Sequence, residues 1–121
     1  MAKKFEGQRI KGDEQDPVYL VLNGKLRHIA TPDIYKALFG DGEWKFSTVQ
    51  QALVDNFPKG PVLDFPTPLA KGFDDPVYLI DQGKKRWIKS EDAFNRYGFA
   101  WNKITNIGAI TSIIPDGEEI E

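Results

Sequence analysis

The sequence predicts an α+β domain built from two tandem copies of a β-hairpin plus short helix, related by pseudo-two-fold symmetry and sharing one core. Three observations predict it. The phrase DPVYLVLNGKLRHI, from Asp16 to Ile29, returns as DPVYLIDQGKKRWI, from Asp75 to Ile88, offset by 59 residues. Each copy holds a two-residue turn signal between runs of β-branched and aromatic residues. Each is followed by residues that start helices. One such unit is too small to bury its apolar face alone, so two copies are expected to cover each other. The 121 residues then form a single domain, with repeat one at about 8–63 and repeat two at about 68–120.

The elements follow in order. Ile10-Lys11-Gly12 leads into the first copy and Ala70-Lys71-Gly72 into the second. Val18 to Leu22 and Lys25 to Ile29 flank Asn23-Gly24, the pair that best tolerates the positive φ angles of a type I′ turn; Gln82-Gly83 is a weaker version. With two-residue loops, Tyr19 faces His28, Tyr78 faces Trp87, and Asp81 lies opposite Lys84. Alternation puts Tyr19, Val21, Leu26 and His28 on one hairpin face and Val18, Leu20, Arg27 and Ile29 on the other. Both faces are mostly apolar, which leaves two readings: hairpins buried on both sides, or one aromatic face that is sticky.

Helix starts come next. Thr31 caps, Pro32 suits the first helical position, and Asp33 suits the positive end of the dipole; Ser90-Glu91-Asp92 repeats the pattern. Ile34 with Leu38, and Ala93 with Tyr97, sit one turn apart, and Gly98 is a stop signal. Ser47 with Gln50 reads as a capping box opening a further short helix over 47–57. FPTP, from Phe65 to Pro68, is the joint between copies. The segments 61–63 and 118–120 read as brief edge strands, and a Pro-x-Gly closes each copy at Pro58 and Pro115.

Composition narrows the chemistry. There is no Cys, which removes disulfides, thiolate metal sites and a Cys nucleophile. The net charge of −2 has both signs interspersed and offers no basic stripe for nucleic acid. No apolar run approaches the roughly 20 residues of a membrane span, and the N-terminus lacks the apolar region of a secretory signal. His28 is the only His, and no acidic group stands near it at ligand spacing. DEQD lacks the Gly and closing Glu of an EF-hand, GDGEW is not a phosphate loop, and no serine has a nucleophile-elbow context. Asp16 and Asp75 precede Pro and read as turn initiators. The expectation is therefore a non-enzyme with no metal and no cofactor, a small hydrolase with an unrecognised carboxylate pair being the catalytic alternative.

The phrase VYL-x-x-x-G-K-x-R-x-I, the capped aromatic helix, Phe99-Ala100-Trp101 and the closing Pro115-Asp116-Gly117 resemble tandem repeats of bacterial surface-associated and secreted proteins, units of roughly 50 to 60 residues. The resemblance covers most of the chain in two copies. It implies a non-catalytic attachment or recognition role and an extracellular or cell-surface setting.

What remains for binding are arginines and aromatics. Arg27 and Arg86 recur amid apolar neighbours, either paired with Asp33 and Asp92 or pointing into a pocket. Trp44, Trp87 and Trp101 are large and amphipathic, suited to stacking on sugar rings or to filling a core. The leading expectation is a module that recognises a repetitive glycan or cell-wall polymer through two quasi-equivalent sites. Those sites contain Arg27 with His28, Arg86 with Trp87, and Trp101. The alternative is a protein-interaction or structural subunit of a secreted or toxin-like assembly.

Overall fold

In the computed structural model, which describes residues 2–121, the first half holds α1 (Ala2–Phe5), β1 (Arg9–Gly12), β2 (Val18–Leu22), β3 (Lys25–His28), α2 (Pro32–Phe39), β4 (Ser47–Val49) and α3 (Gln51–Asn56). The second half holds β5 (Leu69–Lys71), β6 (Val77–Asp81), β7 (Lys84–Ile88), α4 (Glu91–Arg96) and β8 (Thr105–Asn106). Short 3₁₀ turns at Trp101–Lys103 and Gly108–Ile113 flank β8. Both predicted turns form. Asn23 and Gly24 take φ of 54° and 73°, and Gln82 and Gly83 take 55° and 75°, as a type I′ turn requires. Tyr19 pairs with His28, Tyr78 with Trp87, and Asp81 with Lys84, so the predicted register holds.

The structure is α+β, with two four-stranded sheets ordered β3-β2-β1-β4 and β7-β6-β5-β8. Each unit is thus larger than a hairpin plus helix. The Ile10 and Ala70 segments are strands antiparallel to β2 and β6, and a fourth strand joins each in parallel. The capping box expected at Ser47 does not form. Ser47, Thr48 and Val49 lie beside Ile10, Lys11 and Gly12 as β4, a role that suits their β-branched side chains. The helix begins only at Gln51, whose backbone N–H donates to Asp13 Oδ1 at 3.0 Å. The segments 61–63 and 118–120 lie along β3 and β7, bridging through Leu63 to Ile29 and through Ile120 to Ile88.

One core spans both halves. Leu20, Leu22, Tyr35 and Leu38 pack in the same buried cluster as Leu69, Leu79, Phe94 and Ile120. The opposite face of the first hairpin is also covered, because Val21 and Leu26 join Ile10, Val54 and Phe57 in a second cluster. The first hairpin is therefore buried on both sides. The second is less covered: Trp87 is exposed, and Tyr78 and Lys85 are half-buried.

Arg27 and Arg86 lie opposite Leu20 and Leu79 at matching register positions. Their partner is not Asp33 or Asp92. Both guanidinium groups converge on Asp81: Arg27 donates through both Nη atoms, Nη1 at 2.9 Å, and Arg86 Nη1 donates at 3.0 Å. Arg27 Nε donates to Pro61 O and Arg86 Nε to Glu118 O at 2.8 Å, while Arg86 Nη2 reaches Asn23 Oδ1. All three charged residues are buried. The position matching Asp81 in the first copy is Leu22, so a single carboxylate serves two arginines from different halves.

Burial alone would raise the Asp81 carboxyl, but the hydrogen bond and charge of Arg27, then those of Arg86, hold it below its ordinary 3.8. A carboxyl held low stabilises the fold above its unfolded value and withdraws that stability as pH falls through the folded value. Removing one partner of a buried pair leaves an uncompensated charge. Asp81→Asn should therefore lower the unfolding free energy in urea at neutral pH by about 3 kcal/mol. The difference should shrink as pH falls below about 4. Equal stability of the two proteins at neutral pH would show that the bridge does not hold the halves together.

Candidate functional site: two aromatic grooves

The helices that follow the hairpins place the aromatic rings. Thr31 Oγ1 accepts from Ile34 N at 3.2 Å and Ser90 Oγ from Ala93 N at 3.0 Å, so both start where the sequence predicts. Each buries an aromatic ring at a matching position, Tyr35 and Phe94. A tryptophan lies flat on each. Trp44 stacks on Tyr35 at 4.0 Å and 3°, and Trp101 on Phe94 at 4.0 Å and 30°. Arg9 Nη1 and Lys45 N both donate to Tyr35 Oη at 2.8 Å, which fixes the first stack. Trp101 Nε1 donates to Asn95 Oδ1 at 2.9 Å and fixes the second. Trp44 remains 39% and Trp101 49% exposed, so each ring keeps surface open to solvent.

Beside each tryptophan runs a groove with corresponding walls. The first, of about 260 Å³, is lined by Asp16-Pro17-Val18, by the segment from His28 to Pro32, and by Trp44. The second, of about 320 Å³, is lined by Asp75-Pro76-Val77, by the segment from Trp87 to Glu91, and by Phe94 and Trp101. His28 tilts against Tyr19 at 5.6 Å and is half-buried, whereas Trp87 is 38% exposed. The structure thus places His28 in the first groove and Trp87 and Trp101 in the second. It does not do so for Arg27 and Arg86, which sit buried behind them in the Asp81 bridge with their donors facing protein oxygens. A ligand in either groove meets the ring and not the guanidinium, because alternation along β3 and β7 sends neighbouring side chains to opposite faces.

Trp44 is the groove residue that the candidate set lacks. It follows Tyr35 by nine residues, whereas Trp101 follows Phe94 by seven, and this two-residue difference hides the correspondence from a fixed-offset comparison. The signal was an aromatic a short loop beyond each helix.

The second groove carries more charge. The Lys89 ammonium lies 5.9 Å from the Trp87 ring centroid and 3.3 Å and 3.7 Å from Glu121 and Glu119. The hydrogen bond that Lys89 donates to Glu121, followed by the charge of Glu119, raises Lys89 above its ordinary 10.5. A larger cavity, of about 600 Å³, lies at the seam between Glu6, Tyr97 and the C-terminal acids. Glu6 there accepts from Asn23 N at 2.7 Å, from Gly24 N at 2.9 Å and from the Tyr97 hydroxyl. Burial, then the hydrogen bond to Glu6, pushes the Tyr97 phenol up. These contacts tie the halves together and present no open aromatic face, so the grooves are the stronger candidate.

Among the described residues, no cluster of three or more His, Cys, Asp or Glu is placed to hold a metal ion, and no helix is long and apolar enough to cross a membrane. No family model matches the chain, and neither a curated protein nor a solved structure matches it significantly.

Because both outer rings lie on the surface over an intact aromatic floor, they are separable from folding. Trp44→Ala and Trp101→Ala should each cost under about 2 kcal/mol in urea unfolding and keep a cooperative transition. A loss of the transition in either variant would make that ring a core element and remove it from the site.

Proposed function

We propose that the chain is a non-enzymatic binding module whose two halves, related by a pseudo-two-fold axis, present quasi-equivalent grooves to a repetitive glycan or cell-wall polymer. The observation that carries this reading is the repeated stack: an exposed tryptophan lying flat on a buried helix aromatic, beside an Asp-Pro-Val wall, once in each half. An open indole face held by a rigid floor suits the apolar face of a sugar ring. Matching strand order, matching turns and matching tail contacts support the symmetry. Two weak sites on one rigid body gain avidity only toward a ligand that repeats, which is the sense of the duplication. The resemblance to surface-associated repeats supports an extracellular or cell-surface setting.

A second reading, a protein-interaction subunit, is favoured by one observation. Phe73, Ile110 and Ile113 are exposed on the second half, with Phe73 lying against Gly108.

The test is sedimentation with insoluble peptidoglycan, chitin and cellulose. The native chain should co-sediment with at least one of them. Trp44→Ala and Trp101→Ala should each weaken binding on the order of tenfold, and the double variant should abolish it. A double variant that sediments like the native chain would refute the grooves. Failure to bind any polysaccharide, alongside capture of a protein through Phe73 and Ile113, would hand the assignment to the second reading.

A further inference from the structure

We infer that the second groove selects a sugar carrying a positively charged amine, so that the polymer recognised is an amino-sugar polymer with free amino groups. The inference rests on the glycan reading and deepens it.

The charge of the walls carries the argument. The second groove sets the exposed faces of Trp87 and Trp101 beside the carboxylates of Asp75 and Glu91. Its one lining cation, Lys89, is itself held by Glu119 and Glu121. The positive end of α4, which would otherwise draw an anion, is met by the Ser90 cap and by Glu91 and Asp92 in the first turn. A phosphate- or carboxylate-bearing polymer therefore meets repulsion on entering, and an ammonium meets attraction.

The rings point the same way. An indole face attracts cations, and the Trp87 ring already draws the Lys89 ammonium to 5.9 Å. Two indoles with flanking carboxylates thus offer a flat apolar surface for a sugar ring and a negative rim for its amine. The first groove lacks this set. His28, Ala30 and Pro32 stand where Trp87, Lys89 and Glu91 stand in the second, and Asp16 is the only carboxylate lining it. The second groove therefore discriminates by charge, and the first adds avidity with little preference.

The experiment is calorimetric titration with two tetramers, one of glucosamine and one of N-acetylglucosamine, at mildly acidic pH, where the glucosamine amines are protonated. The glucosamine tetramer should bind on the order of tenfold more tightly. Added salt should weaken that preference. Asp75→Asn combined with Glu91→Gln should reduce it to within about twofold, weakening the glucosamine tetramer more than the N-acetylglucosamine tetramer. Trp101→Ala should weaken both tetramers.

Equal or tighter binding of the N-acetylated tetramer overturns the charge inference and leaves the glycan reading standing. Binding of neither tetramer overturns the inference, and the polysaccharide sedimentation decides separately whether the glycan reading survives. Choline chloride is the third arm: if it displaces the glucosamine tetramer at comparable concentration, the groove answers to a bare cation and the amino-sugar assignment is lost.

Discussion

A single buried carboxylate holds the two halves in register. Asp81 accepts from Arg27 of the first half and Arg86 of the second. Each arginine also ties down the tail of its own copy, through Pro61 O and Glu118 O. The consequence reaches the grooves. The tails bridge along β3 and β7, the strands that carry His28 and Trp87. The charge cluster on one face of each strand thus fixes the ring on the other face, and a site that never touches an arginine still depends on it. Losing one member of a buried ion cluster leaves the others uncompensated. Here the members come from both halves, so the cluster ties one half to the other.

The cluster is also where the repeats diverge. Leu22 and Asp81 occupy the same turn-flanking position, one in the shared core and one at the centre of the charges. Two carboxylates facing two arginines would balance charge for charge; one carboxylate leaves the cluster with excess positive charge. Carbonyl oxygens of Pro61 and Glu118, together with Asn23 Oδ1, accept from three further N–H groups. Similar substitutions separate the outer faces. The first hairpin is sealed by α3 through Val54 and by Phe57, whereas the second half offers only a 3₁₀ turn there, with Ile110 and Ile113 exposed. The two halves share a strand order and differ in what covers it.

Sequence alone carried the turns, registers and caps, because these are local. Asn-Gly and Gln-Gly specify positive φ, and Thr31 and Ser90 need only the amide three residues on. It misassigned Ser47 because a capping box and a short β-branched strand share residues, and pairing with β1 settles the competition. It gave Arg27 and Arg86 the wrong partners for a related reason. Asp33 is near Arg27 in sequence, while Asp81 stands 54 residues away; for Arg86, Asp81 is only five residues away but breaks the repeat pattern, since the first copy has Leu22 there. Of the grooves it found the rings of His28, Trp87 and Trp101. It did not find their common geometry, because the loops that carry Trp44 and Trp101 differ by two residues.

That loop difference explains how two grooves can be alike in plan and unlike in lining. The floor is set by helix residues at fixed positions, Tyr35 and Phe94, and any loop able to lay an indole on them completes it. The walls come from the strand end and the helix cap, where side chains face solvent and can change without disturbing the core. His28 and Trp87 differ at such a position, as do Ala30 and Lys89. The charges that tie the scaffold and the rings that line the grooves therefore lie on opposite faces of the same strands. The outer face can change while Asp81 keeps the halves together, which makes a repeated, slightly unequal pair of grooves a natural product of this fold.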